Sequence, residues 1–318
     1  MNNNQSQLLL PSPKISKVLL AFDAFLLISI IGMFFAINGV FREQMRKEVI
    51  QKTITAEIFN NIRLEAKAAY VFDVAKGRVI FKKNENLQLP LASLTKLMTA
   101  LTALELAPKN SQITIKKEFL KEEGDTGLLP GETWKLKDLM NFSLVVSSND
   151  GARSVASVVG AVNLKTADFD LGRKDFITQM NSVAQKLGLK QMYFINENGL
   201  DEGNIAGGYG SASDVANLLR HIIVNKPELL EATKYQSTTI SSETKKHLAK
   251  NTNEELGQIP GLIASKTGYT ALAGGNLAIA FDASIGRPII VVVVGSTEKG
   301  RFSDVQLLVN ASLNYIKK

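Results

Sequence analysis

Ser93 and Lys96 stand three residues apart in "PLASLTKLMTALTALE", Pro90 to Glu105, and that spacing can do chemistry. A serine hydroxyl is a poor nucleophile at neutral pH and needs an adjacent base. On a helix, residues three apart share a face, so the Lys96 amine can reach the Ser93 hydroxyl. An amine that is desolvated or close to a second cation loses its proton more readily and can then accept the serine's. The same spacing also fits a serine that only caps a helix. Two more stretches bear on the choice: "VVSSNDGA" holds Ser147 and Asn149, and "IASKTGYT" holds Lys266, Thr267 and Gly268 near the end of an apolar run. Taken alone, Ser147, Ser148, Asn149 or Asp150 could equally cap the following helix.

Composition narrows the chemistry. The 318 residues are 45% hydrophobic and 21% charged, which is globular and sets disorder and fibrous classes aside. There is no cysteine, and His221 and His247 are the only histidines, so Cys/His zinc sites, thiol nucleophiles and disulfides are excluded or nearly so. Neither histidine sits in a motif for a Ser-His-Asp triad and no G-x-S-x-G elbow occurs, so both are expected to be surface or structural residues. "GLIASKTG" fails as a phosphate loop because Ser265 stands where glycine must precede the lysine. No cofactor or metal is expected. The net charge of +7 comes without a helix-turn-helix, finger or aromatic RNA-binding signature, so nucleic acid is not an expected partner.

These residues need elements to position them. "AAYVFDVAKGRVIFKK" reads as a hairpin with Gly77 at its turn, and the helix bearing Lys96 follows. "KLKDLMNFSLVVSS", "ARSVASVVGAV", "RKDFITQMNSVAQKLGL" and "SASDVANLLRHIIV" show helical spacing of apolar residues. "GLIASKTG", "GNLAIAFDAS" and "RPIIVVVVGS" read as strands, followed by a helix from about Ser303 to Lys317. Strands at both ends of a helical middle predict an α+β fold, with an antiparallel sheet flanked by helices and an inserted helical subdomain. Ahead of this, Val18 to Ile37 is an apolar run of bilayer-spanning length, expected to be a transmembrane signal anchor, with a cleaved signal peptide as the alternative. Lys14 and Lys17 before it are matched by Arg42, Arg46 and Lys47 after it, so charge does not orient it. The expected organisation is a cytoplasmic tail at 1–17, the span at 18–37, a stalk at 38–66 and a catalytic domain at 67–318.

The order S-x-x-K, S-x-N, K-T-G is the signature set of penicillin-recognising serine enzymes. With the flanking stretches "YVFDVAKGRVIFKKNENLQLPLASLTKLMTALTALE", "LVVSSNDGARSVA", "FITQMNSVAQKLGLKQMYFINENGLD", "YGSASDVANLL" and "SKTGYTALAGGNLAIAF", the chain resembles the D-alanyl-D-alanine carboxypeptidase family of low-molecular-weight penicillin-binding proteins, from about Ala66 to Ile316. The resemblance implies a β-lactamase/DD-peptidase-like fold at the cell membrane, acting outside the cytoplasm on peptidoglycan stem peptides and trapped covalently by β-lactams. It implies Ser93 as nucleophile, Lys96 as its base and Ser147 as proton relay. Asn149 would bind a peptide carbonyl or steady Lys96. Lys266 and Thr267 would hold the substrate carboxylate, and Gly268 would let substrate lie close along the strand. The Ser93 and Tyr269 N–H groups would form the oxyanion hole, with Arg301 as a second carboxylate contact, although "STEKGRFSD" also fits a solvated helix start.

Some residues depart from the family pattern. Ser147-Ser148-Asn149 replaces the usual Ser-Gly-Asn, and "NENGLDEGNIAGGYGSASD" lacks the usual histidine, which bears on substrate preference. About fifty residues follow K-T-G, so the β-rich C-terminal domain and amphipathic anchor of many relatives are expected to be missing. A class A β-lactamase is the rival enzyme, since Glu197 has the E-x-x-L spacing of its water-activating glutamate; here Glu197 is expected on the loop surface. The same motifs also fit a D,D-endopeptidase, while a non-catalytic wall-peptide binder, whose mark would be a lost serine or lysine, ranks last.

Overall fold

The computed structural model describes residues 17–317 and separates into two compact units, Met1–Ala56 and Glu57–Lys318. Helix α1 (Lys17–Phe59), all but its last three residues in the first unit, runs without a break through the expected span and most of the expected stalk. Its Phe25–Lys47 stretch is long and apolar enough to cross a membrane, and none of it is buried in protein. The tail expected at 1–17 lies, but for Lys17, outside the described residues.

The second unit begins with a hairpin, β1 (Ala68–Asp73) and β2 (Arg78–Lys83), closed at Gly77, whose φ of +61° a side chain would strain. A short β3 (Leu89–Pro90) leads through a 3-10 turn, Ala92–Leu94, into α2 (Thr95–Leu106). The middle of the chain contributes β4 (Gln112–Thr114), β5 (Thr133–Lys135), α3 (Leu136–Val146), α4 (Asn149–Leu164), α5 (Phe169–Lys186), β6 (Tyr193–Phe194), β7 (Gly208–Gly210) and α6 (Ala212–Asn225). The small hairpin β8 (Ser237–Ser241) and β9 (Lys246–Lys250) precedes three long strands, β10 (Leu262–Thr270), β11 (Gly274–Asp282) and β12 (Pro288–Ser296), and α7 (Gly300–Lys317) closes the unit.

The main sheet has the order β10-β11-β12-β1-β2, all antiparallel, so chain-distant segments meet where β1 pairs β12. α6 and α7 both pack against β11 and β12, which explains why "IIVVVV" is apolar on both faces rather than alternating. β10 is left as an edge strand, and it carries Lys266 to Gly268. The expected α+β fold is the one observed. α2 is buried from Thr95 to Ala103, including Lys96, because α3, α4, α5 and α6 all pack on it. Side-chain caps open the surrounding helices: Ser148 accepts from Gly151 N, Asp168 from Asp170 N and Leu171 N, and Ser211 from Asp214 N.

Candidate active site

Ser93 does not cap a helix. It lies in the 3-10 turn, one residue before the Leu94 N-cap, and no side chain caps α2. Ahead of it Ala92 is held at φ +48°, a conformation unfavourable for a residue with a Cβ. The Gly199 backbone packs against the Ala92 carbonyl so tightly that a Cβ at 199 would come within 2.0 Å of it. The turn thus presents the Ser93 hydroxyl from a strained, over-determined backbone.

Lys96 Nζ lies 3.0 Å from Ser93 Oγ, 2.6 Å from Asn149 Oδ1 and 2.7 Å from the Asn198 carbonyl oxygen. Its side chain is fully buried. Burial pushes the amine down to about 7, against the Glu197 and Glu122 carboxylates, which favour the charged form. In its neutral state the amine can donate to Asn149 and Asn198 and turn its lone pair to the Ser93 hydroxyl. Among side chains, that is the arrangement of a serine and its base.

Ser147 ends α3 in the left-handed region at φ 61°, and its Oγ accepts from Lys266 Nζ at 2.9 Å. The helix-capping role belongs to its neighbour instead. Ser148 Oγ is buried, caps α4 and sits 2.6 Å from Thr126 Oγ1, which accounts for serine where the family pattern has glycine. Asn149 bridges the site, receiving Lys96 on its oxygen and donating its Nδ2 to the Glu123 carbonyl at 2.7 Å.

On β10, Lys266 is 2% exposed and also donates to the Thr267 carbonyl at 2.9 Å. Burial, with Lys96 and Arg301 close by, pushes its amine well below the ordinary lysine range. Arg301 is 9% exposed and donates from Nη1 to the Gly268 carbonyl at 3.0 Å, so the solvated reading of this arginine fails. Among the described residues neither Lys266 nor Arg301 forms an ion pair. Two buried basic groups without an ion-pair partner make a place for an anion. Thr267 Oγ1 is shared with Thr252 at 2.6 Å, a partner that no motif in the sequence marks. Gly268 has a packing reason of its own: a Cβ there would meet the Leu91 carbonyl at 2.9 Å and Ser93 N at 3.2 Å, so glycine lets β10 close on the nucleophile's turn. Tyr269 follows, half exposed at the strand's end.

The sequence model of the D-alanyl-D-alanine carboxypeptidase family matches residues 52–298. The chain belongs to that family. D-alanyl-D-alanine carboxypeptidase DacF of Bacillus subtilis is 30% identical over 247 residues, which are 76% of this chain and 60% of the Bacillus protein. The chain therefore spans about three fifths of that relative's length. A D-alanyl-D-alanine endopeptidase of Haemophilus influenzae is 30% identical over 222 residues, 67% of this chain and 69% of its own. A solved penicillin-binding protein of Listeria monocytogenes with ampicillin bound superposes with a TM-score of 0.66 at 29% identity, covering 79% of this chain and 98% of that one.

As a member of the carboxypeptidase family the chain differs from its sequence reading at Glu197. This residue is not on the loop surface. Its side chain is fully buried, Oε2 accepts from Arg173 Nε at 2.9 Å, and its backbone carbonyl accepts from Thr99 Oγ1 at 2.5 Å. His247 is structural as expected, buried with Nε2 3.0 Å from Glu132 Oε1. Sequence reasoning also missed Asn198, which serves Lys96 through a backbone carbonyl, and a main-chain acceptor leaves no side-chain signal to find.

Proposed function

We propose that the chain is a serine D,D-carboxypeptidase that removes the terminal D-alanine from peptidoglycan stem peptides through an acyl-enzyme on Ser93. The contact between Ser93 Oγ and a buried Lys96 amine poised near neutrality carries this reading. Lys96 takes the Ser93 proton as Oγ attacks the carbonyl between the last two D-alanines. Negative charge developing on that carbonyl oxygen is met by the Ser93 and Tyr269 N–H groups. The proton passes by way of Ser147 to the leaving amine, D-alanine departs, and water releases the acyl group. The substrate's terminal carboxylate lies against Thr267, Lys266 and Arg301, where the unpaired cations await an anion. Its backbone runs beside the open edge of β10, as an added strand would.

β-Lactams acylate the same serine, and the family's solved ampicillin complex supports that part of the reading. Glu197 is unsuited to the class A β-lactamase role because Arg173 holds its buried carboxylate, so the acyl group is cleared slowly. The intact Ser93, Lys96 and Ser147 set argues against a non-catalytic binder. Cleavage of cross-links by the same chemistry is the second reading, favoured by the Haemophilus endopeptidase relative. The apolar α1 anchors the enzyme in the cell membrane, with the catalytic unit on the extracytoplasmic side, where the wall lies.

The test is intact mass of the full chain in detergent with benzylpenicillin, followed over time for protein and drug. A lasting adduct on Ser93, absent in Ser93→Ala, together with D-alanine release from a pentapeptide, is the expected result. Rapid loss of drug without an adduct points to the β-lactamase. Cleavage of cross-linked dimers without D-alanine release points to the endopeptidase.

A further inference from the structure

The loop 196–202 touches the reaction centre without holding any motif residue. Its Asn198 carbonyl is one of the three acceptors around Lys96 Nζ. The loop is held from several sides: Thr99 donates to the Glu197 carbonyl, Asn198 Nδ2 donates to Glu122 Oε2 at 3.1 Å, and Gly199 N donates to Asn196 Oδ1 at 2.8 Å. Glu122 is in turn paired with Arg153. At the loop's centre is Glu197, a carboxylate with no exposure, of which only Oε2 is bonded, to Arg173; Oε1 has no hydrogen-bond partner among the described residues. A buried charge satisfied on one oxygen is costly, and the cost is hard to explain for a loop that a neutral residue could close equally well.

We infer that Glu197, clamped by Arg173, is a positioning residue of this enzyme: it seats the Asn198 carbonyl on Lys96 and sets a buried negative charge beside that base without touching substrate. The inference rests on the carboxypeptidase reading, in which Lys96 must be neutral to receive the serine proton. Glu197 favours the protonated form of Lys96 and so opposes the burial that drives the amine toward neutrality. It keeps the base from becoming too weak to take the Ser93 proton. The other charged groups that act on Lys96 are Lys266 on β10 and Glu122 ahead of α3, and behind the two carboxylates stand Asp150 and Arg153 on α4, beside Glu122, and Arg173 on α5, beside Glu197. α6 also packs on α2, but its buried Asp214 accepts from Gln191 N instead. Glu197 and Glu122 are the two that draw Lys96 toward the cation, and only Glu197 belongs to the loop that also supplies the carbonyl acceptor.

The signs separate this role from mere packing. Acylation rises with pH as Lys96 loses its proton, so the midpoint of the rise reports the lysine. Glu197→Gln removes the attracting charge and should move that midpoint to lower pH by roughly half a unit or more. Arg173→Met strips the buried carboxylate of its partner, so that it takes up a proton and the midpoint should again move to lower pH, while Arg173→Lys should restore the original position. The experiment is the rate of benzylpenicillin acylation from pH 5 to 9 on the full chain in detergent, by stopped adduct mass, with thermal melting to score folding. Shifts to lower pH in both variants, reversed in Arg173→Lys, support the inference. A lower plateau in both with an unmoved midpoint, or a shift to higher pH in either, overturns it and leaves the carboxypeptidase reading standing. Absence of any Ser93 adduct in the unmutated chain overturns that reading and the inference with it. Should Glu197→Gln fail to fold, Arg173→Met against Arg173→Lys still decides.

Discussion

Two clusters of polar groups are buried in the catalytic unit, and they are built on opposite principles. Around His247, Glu132 accepts from the imidazole at 3.0 Å, from Trp134 Nε1 at 3.4 Å and from Leu129 N at 3.2 Å, and the His247 ring packs against both Trp134 and Phe142, which also touch each other. A carboxylate that meets three donors under aromatic cover is a finished structure. Around Ser93 the basic groups are left without ion-pair partners: Lys96 hydrogen-bonds only to neutral oxygens, and Lys266 and Arg301 hydrogen-bond only to a hydroxyl and carbonyls. Burial by itself therefore does not mark a reactive site. Burial of a basic group without an ion-pair partner does, because desolvation then depresses the base and room is left for an anionic substrate.

Ser93→Ala should break the site most completely, abolishing the penicillin adduct while leaving the melting temperature near that of the unmutated protein. Next, Lys96→Gln should slow acylation by about 10²–10⁴-fold, the range for loss of a general base; an undiminished rate would place the base elsewhere. The pH dependence sharpens the point. With Lys96 lowered from 10.5 to about 7, acylation should hold steady above neutrality and fall about tenfold per pH unit below it, as the ammonium takes over. A midpoint near that of an ordinary lysine would mean the amine is not desolvated in solution. Thr252→Val, which strips the Thr267 hydroxyl of its partner, should raise KM a fewfold, in line with about 1 kcal/mol for one hydrogen bond. His247→Ala belongs at the end of the series for its effect on rate. It should cost about 2–4 kcal/mol of stability by chemical denaturation, since Glu132 loses its main partner and the aromatic pair loses a ring, yet kcat/KM per folded molecule should stay within twofold. A large rate loss there would erase the distinction between the clusters.

Much of the fold is legible along the chain. Gly77 marks the β1–β2 turn, helical spacing marks α3 to α6, and the three long apolar runs near the end are β10 to β12. These signals are local, set by turn conformation and by which face of an element meets the core. Ser93 was harder to place. The sequence suggests a helix, and the structure sets it in a 3-10 turn behind a strained Ala92, because Gly199 and β10 crowd that backbone from distant parts of the chain. Gly268 was legible as a glycine that must exist, but its crowding partner is the nucleophile's own turn. Arg301 and Glu197 resemble surface residues in their local sequence, and both are buried by elements more than twenty residues away.

What the sequence alone determined is the inventory: a serine, two lysines, a second serine and an asparagine in an order that belongs to one family of enzymes. Those are covalent facts, carried by residue type and spacing. The tertiary structure decided what state these groups are in. Lys96 is poised near neutrality because the helices packed on α2 exclude water from it, while a carbonyl 102 residues away fills one of its hydrogen-bond positions. Desolvation and long-range electrostatics depend on everything packed around a group, so they exist only once the chain has folded.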